Sequence, residues 1–247
     1  MRHGRAEGES AAGDGPRRAV GRHRPARRRG GHLGAGAPEG LVESAAWRLA
    51  DGTVAYALEG SVFVTGAAIQ WLRDGLGVLR DAAESEELAR SLPGNDGVYF
   101  VPALTGLGSP HWEPDARGVI AGLTRGTGRA HVARAALEAM AYQTCDVLDA
   151  AGADLEVLRA DGGATANGFL MQFLADVTRL PVEVPAERET TAIGAAALAG
   201  LGAGVWASPD DIARAWRAAE RYEPRIDPGE AERLLTEWRR AVQRALP

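Results

Sequence analysis

One cysteine, Cys145, is all that 247 residues contain, which excludes an intrachain disulfide and a cysteine metal cluster and fits a reducing cytoplasm. No apolar run is long enough to cross a bilayer: the longest, Ala192 to Trp206, is short and rich in glycine and alanine. The arginines near the N-terminus have no apolar stretch behind them, so a secretory signal is not expected. Large apolar residues are almost missing from residues 1–40, which hold ten glycines and nine arginines against four acids. Such a tract cannot offset its ordering entropy by burial, so disorder is expected there. Its cluster Arg22 to Arg29 (RHRPARRR) reads as a solvated tail before it reads as a polybasic arm for nucleic acid or anionic lipid. The abrupt change of character near Leu41 favours a third reading, a tract translated out of frame or from a misplaced start. Within an overall charge of −5 the residues after this tract carry −10, a balance that argues against a nucleic-acid-binding body.

What is present is enough for one large domain: 45% of the residues are hydrophobic. From Leu41 onward the pattern is α/β. Thr53 to Leu58 alternates like a strand, and the run VFVTGAAIQWLRD predicts a helix with Phe63, Ala67, Trp71 and Leu72 on one side. A polar helical segment spans Asp81 to Leu92, and Gly97 to Ala103 and Gly118 to Leu123 are β-rich around a turn-dense loop. His131 to Ala150 predicts a long helix with Val132, Ala136, Met140 and Val147 on one face. Val182 to Val184 reads as a short strand, and TAIGAAALAGLGAG as a small-residue helix able to pack close to a neighbour. Ser208 and Asp227, each followed by proline and an acid at the third position, predict the caps of the last two helices. The final helix repeats Ala231, Leu234, Leu235, Trp238 and Val242 as a core-facing stripe.

The most informative stretch is LRADGGATANGFLMQFLAD, Leu158 to Asp176, where a strand-like segment turns into an amphipathic helix through an acid and two glycines. Gly162 and Gly163 lack a Cβ, so backbone can turn tightly and approach a ligand. A helix beginning there offers unpaired N–H groups and a positive dipole end to an anion. Asn167 is expected one turn into that helix, where its amide could reach a ribose, a base or a phosphate. Taken alone, the run also fits an ordinary corner whose glycines only fix geometry.

Taken together, Tyr56 to Asp74, Gly97 to Gly126, the DGG run and Glu189 to Gly204 resemble the C-terminal domain of glycerol kinases, which belong to the FGGY family of carbohydrate kinases. A second signature of that family is matched by Gly118, Ile120, Gly122 and Leu123, followed after seven residues by His131, Val132, Ala135, Leu137 and Glu138. The resemblance runs from Gly40 to Pro247, so residues 41–247 are expected to form this domain and 1–40 a separate tract.

The resemblance implies an α/β, ribonuclease H-like domain of the actin-type ATPase fold, a mixed sheet flanked by helices, two such domains closing on ATP with Mg²⁺ on the phosphates. It also implies ATP-dependent phosphorylation of glycerol in the cytoplasm. By position, Gly66 and Gln70 match the family's nucleotide contacts in a GAxxQ piece, and Gly163 and Asn167 match those in DGGxxAN. Phosphoryl transfer to an alcohol needs a base, donors for developing charge, and metal on the phosphates. The family's base, an aspartate in GDQ, and its YGTG turn do not appear; Asp14 in AAGDGP resembles GDQ too little to inherit the role. No catalytic residue and no metal ligand is therefore assigned, and the chain is expected to be inactive alone, with glycerol a partner only when a first domain is present. Another FGGY sugar kinase, or a non-catalytic nucleotide-binding or assembly module, remains an alternative. No nucleic-acid or membrane partner is expected, and self-association is compatible with the family. Outside these positions the readings are structural: Asp161 bonding its own turn, Asp115 and Arg117 forming a local pair or cap, His111 and His131 too isolated to bind metal, and Trp112 covering an edge.

Overall fold

The computed structural model describes residues 37–49, 51–187 and 189–247. The disorder expected for residues 1–40 thus falls, up to residue 36, outside the described residues. Strands β1 (Val42–Arg48) and β2 (Val54–Glu59) form an antiparallel hairpin, followed by helices α1 (Gly66–Asp74) and α2 (Glu84–Arg90). Strands β3 (Tyr99–Val101) and β4 (Val119–Ala121) pair antiparallel and lead into α3 (Arg129–Ala151). Then come β5 (Leu158–Arg159), a 3-10 turn over Gly163–Ala166, α4 (Gly168–Thr178), β6 (Val182–Pro185) and α5 (Thr190–Gly202). The chain ends with α6 (Pro209–Ala215), β7 (Ala218–Tyr222) and α7 (Pro228–Ala245). The mixed sheet is the three-stranded set β5-β6-β7, parallel at the first junction and antiparallel at the second.

α3 is the axis of the body: α1, α2, α4 and β3 all pack on it. Burial extends around nearly the whole helix, from Ala133 through Leu137, Glu138, Ala141 and Tyr142 to Val147, rather than along the single expected face. Its alanines make this possible, because a small side chain lets helices approach from several directions at little cost in helix propensity. The helix stops at Gly152, whose left-handed conformation returns its N–H to Leu148 and Asp149. α7 lays its expected stripe on the core, with Trp238 only 1% exposed and stacked on Tyr142 at 5.3 Å between centroids. The predicted caps are made: the Asp227 side chain accepts from Gly229 N at 2.8 Å and Ser208 Oγ from Asp211 N at 3.3 Å.

Three features differ from the sequence pattern. α1 begins at Gly66, so Phe63 lies before it and packs edge-on against Trp112, while the buried helix face is Ala68, Ile69 and Leu72. β1 was not anticipated, because VESAAWR lacks a clean alternation. β7 (AAERY) has no buried residue and stays in place through its pairing with β6 and an Arg221–Glu183 ion pair of 2.6 Å.

Two carboxylates bear on this core, Glu138 buried and Asp146 half-buried. The Glu138 carboxylate accepts from Arg134 at 2.6 Å, Asn95 at 3.0 Å and the Tyr142 hydroxyl at 3.3 Å. Arg134 also donates to the Ala89 and Leu92 carbonyls at 3.3 and 2.6 Å, fastening the end of α2 to α3. Removing one partner of a buried pair leaves an uncompensated charge, so Arg134→Ala should lower unfolding stability by about 3–5 kcal/mol in denaturant melts. Asp146 accepts from Trp238 Nε1 at 2.7 Å, and burial raises its carboxyl above the usual aspartate range, partly offset by that bond and by His111 and Arg239. A raised folded pKa means stability is fully present below the ordinary aspartate value and is lost as pH rises through the folded one. Asp146→Asn keeps an acceptor for Trp238 and should therefore match the parent near pH 4 yet exceed its thermal midpoint at neutral pH; equal midpoints throughout would refute this assignment.

Candidate functional site

The DGG corner is held by backbone geometry. Leu158 N–H bonds the Pro181 carbonyl just before β6 at 2.8 Å and Ala160 N–H the Glu183 carbonyl of β6 at 3.0 Å, so the chain leaves the sheet in a fixed direction. Gly162 adopts φ +80°, ψ 179°, a conformation that side chains strongly disfavour, and this reverses the chain. The Gly162 carbonyl then accepts from both the Thr165 N–H (3.1 Å) and its hydroxyl (2.7 Å), closing the 3-10 turn. The N–H groups of Gly163 and Ala164 find no acceptor among the described residues, and both residues are exposed.

Asn167 is not one turn into the helix, as its sequence position suggested. The 3-10 turn consumes the intervening residues, and Asn167 becomes the N-cap of α4, its Oδ1 accepting from Leu170 N at 2.9 Å. Nor are the first amides of α4 open to an outside anion. The Glu86 carboxylate, from α2, accepts from Gly168 N and Phe169 N, each at 3.2 Å. Arg90 pairs with the same carboxylate at 2.8 Å, and Ser85 Oγ accepts from Asn167 Nδ2 at 3.4 Å. Sequence reasoning missed Glu86 because it acts 82 residues away; the only local signal was its i,i+4 spacing to Arg90.

Gly66 opens α1 without a side-chain cap, is exposed, and a Cβ placed there would meet nothing within 4 Å. Gln70, one turn on, is exposed and makes no side-chain hydrogen bond among the described residues. The approach to α1 is tied to α3 by Gln143 Nε2 donating to the Val64 carbonyl at 3.3 Å. At its other end the Leu72 carbonyl accepts from Val78 N at 2.8 Å, and Arg129 links the Val78 carbonyl (3.4 Å) to Glu84 (2.9 Å) at the start of α2. Thus α1 connects to α2, and α2 clamps α4. No hydrogen bond joins Gly66 or Gln70 to Gly163 or Asn167 among the described residues. An open hollow of about 520 Å³ runs along α2 between Arg80, Glu84, Glu86 and Arg90, but none of the four predicted residues lines it.

Other singled-out residues have local partners. Asp161 accepts from the Thr190 hydroxyl at the start of α5 rather than bonding its own turn. Arg117 donates to the Pro114 and Ala116 carbonyls at 2.9 and 2.8 Å, and Asp115 N–H bonds the Glu113 carboxylate at 2.9 Å, so of the two expected readings, a local pair or a turn cap, the contacts are those of the turn. His131 Nδ1 accepts from Gly128 N at 3.0 Å and its Nε2 meets Asp96 at 3.1 Å. Trp112 reaches the Gly40 carbonyl at 2.7 Å. Among the described residues no three His, Cys, Asp or Glu side chains form a metal-binding group, and no helix is long and apolar enough to cross a membrane. Burial pushes the Cys145 thiol well up, so it is a core residue and not a nucleophile.

By fold, the protein is an actin-like ATPase domain of the sugar-kinase kind. The crystal structure of Plasmodium falciparum glycerol kinase with ADP matches it with a TM-score of 0.77 at 35% identity, over 84% of this chain and 42% of that one. Xylulose kinase from Rhodospirillum rubrum matches with a TM-score of 0.65 at 31% identity, over 76% and 40%. The chain belongs to the FGGY family of carbohydrate kinases, whose C-terminal domain pattern matches residues 39–203. Glycerol kinase 2 of Thermotoga maritima is 54% identical over 211 residues, and glycerol kinase of Thermococcus kodakarensis 54% over 210, each match taking in 84% of this chain. The chain spans 42% of the length of either of these curated relatives.

Glu86 is the testable element of this geometry. Glu86→Ala should cost about 1 kcal/mol of stability, the usual worth of a helix N-terminal acceptor. It should also speed amide exchange at Gly168 and Phe169, whereas Glu86→Gln should restore most of the protection. Unchanged exchange in Glu86→Ala would show that the carboxylate does not hold α4.

Proposed function

We propose that this chain is the nucleotide-binding half of an ATP-dependent glycerol kinase, contacting the nucleotide through Gly66, Gln70, Gly163 and Asn167. The observation that carries the reading is α1, where an exposed glycine with open space at its Cβ position stands one turn before an exposed, unbonded glutamine. Backbone at Gly66 is open to a phosphate, and Gln70 presents both a donor and an acceptor to a nucleotide. The presence of ADP in the P. falciparum relative favours the same ligand class here.

Each half of the site has a different task. Because Glu86 already occupies the first amides of α4, the phosphate donors on that side are the Gly163 and Ala164 N–H groups of the turn. Asn167 keeps its Oδ1 on the helix, so only its Nδ2, held loosely at 3.4 Å by Ser85, is available to a ribose or phosphate oxygen. ATP supplies the transferable phosphoryl group when bound. The residues of this chain orient that group and contribute backbone dipoles, and no residue of the chain is assigned the proton transfer from glycerol, Asp161 accepting from the Thr190 hydroxyl. Mg²⁺ would arrive with the phosphates, because the described residues offer no group of three His, Cys, Asp or Glu side chains to hold it.

The glycerol preference rests on the 54% identity with glycerol kinases, against 31% for the xylulose kinase neighbour. Titration of ADP into the 247-residue chain should detect binding, and Gln70→Ala or Gly66→Leu should weaken it about tenfold, equivalent to about 1.4 kcal/mol, without moving the unfolding midpoint. A coupled assay with ATP and glycerol should give no turnover from the chain alone. ADP binding unaffected by both substitutions would overturn the site.

A further inference from the structure

The residues between β2 and α1, Gly60 to Thr65, deliver Gly66 and Gln70 to the surface, and apolar packing alone does not set where they arrive. α1 buries only Ala68, Ile69 and Leu72, and its N-terminus has no side-chain cap. Apolar contact is non-directional, so a short helix resting on three such side chains can slide along its axis at small cost. A hydrogen bond from Gly66 or Gln70 to a ligand tolerates little of that, because its distance is confined to about 2.7–3.2 Å.

Three contacts hold this connection. Ser61 exchanges a pair of bonds with Ser109, its N–H donating to Ser109 Oγ at 2.9 Å and its carbonyl accepting from Ser109 N at 2.8 Å. Gly60 lies so close to α3 that a Cβ there would meet Val147 at 2.4 Å. The third contact comes from Gln143, one helical turn before Val147 and only 7% exposed. Its Nε2 donates to the Val64 carbonyl at 3.3 Å and to the Ala139 carbonyl at 3.1 Å. Both hydrogens of the amide are therefore used, one on its own helix and one on the residue two positions before Gly66. No backbone N–H of the described residues bonds the Val64 carbonyl, and Val64 is buried, so this oxygen depends on the glutamine.

We propose that Gln143 is a positioning residue for nucleotide binding: from the interior it fixes the height of α1 on α3, and so the reach of Gly66 and Gln70. The inference rests on the proposed nucleotide reading for what those two residues touch; the tether itself is read from burial and hydrogen bonding. Being buried, Gln143 acts through α1 and not on the ligand. The position requires a neutral amide. A carboxylate of the same shape has no hydrogen to donate and would face two carbonyl dipoles, whereas an apolar side chain would leave the Val64 oxygen buried and unpaired.

The test compares ADP affinity and amide exchange in the full 247-residue chain. Gln143→Met keeps the unbranched shape and removes the donor, so it should weaken ADP binding about fivefold, the usual worth of one hydrogen bond. It should also speed exchange at Ala68 and Gln70 about threefold by loosening α1 locally, and leave Leu170 on α4 unchanged. Combined with Gln70→Ala, the two losses should come to less than their product, because both act through one contact. Gln143→Glu gives an independent readout. Its ADP affinity, taken as a ratio to the parent at each pH, should be lowest at neutral pH and recover as the pH falls and the introduced carboxyl gains a proton to donate to Val64. Should Gln143→Met fail to fold, that ratio decides the matter. Losses that multiply, exchange that quickens equally at Leu170, or a Gln143→Glu ratio independent of pH would make Gln143 a residue of general stability and overturn the proposal. Were the parent to bind no ADP, the nucleotide reading would fall, and exchange at Ala68 and Gln70 in Gln143→Met, faster or unchanged, would still decide whether Gln143 holds α1.

Discussion

The geometry of the candidate site depends on one buried ion pair. Arg134 and Glu138 lie a helical turn apart on α3, 12% and 1% exposed, and the guanidinium spends its remaining donors on carbonyls at the end of α2. That fixes α2 against α3 far from the Gly–Gly turn. α2 then reaches α4 with Ser85 and Glu86, so the position of Asn167 is set by a chain of contacts beginning at a pair about 30 residues earlier on another helix. A buried pair is weak evidence for net stability, since its attraction is largely offset by desolvation. Its contribution here is orientation: a planar guanidinium bonded to a carboxylate and two carbonyls permits little freedom in how α2 meets α3.

Much of this arrangement was legible in the sequence where short-range rules apply. Apolar spacing located α3 and α7, the Ser208 and Asp227 caps followed from side-chain chemistry, and DGG announced a turn because only glycine accepts the conformation at residue 162. What failed was long-range or register-dependent. The placement of Asn167 moved by a turn because four residues of 3-10 structure precede α4, and nothing in GATAN distinguishes a 3-10 start from an α-helical one. The acceptor at the start of α4 was invisible because Glu86 belongs to a polar surface helix and looks like half of an ordinary i,i+4 pair. β7 escaped because its partner, not its composition, makes it a strand.

The contrast between α4 and α5 shows how far composition can be taken. Both are short and strongly apolar, and both follow a strand of the same sheet. α4 buries Phe169, Leu170, Met171, Phe173 and Leu174 against α3 and α7, with Phe173 edge-on to Tyr142 at 5.4 Å. α5 buries nothing. Aromatic and branched side chains give α4 the area to hold a position within this chain, whereas the alanines and glycines of α5 gain little from partial contact and much from close backbone approach by a neighbour.

Charge completes the link between the scaffold and the ligand. A helix N-terminus ordinarily attracts an anion with about half a unit of positive charge, but at α4 a carboxylate of the same molecule already meets the first two free amides. An incoming phosphate would therefore face Glu86 if it approached along the axis of α4. Arg90, paired to that carboxylate at 2.8 Å, reduces the repulsion without reversing it. On the proposed reading the phosphate approaches instead across the Gly162–Gly163 turn, where the Gly163 and Ala164 amides lack acceptors among the described residues. Residue 162 supplies the left-handed reversal, and on the proposed reading residue 163 offers its exposed N–H as the donor.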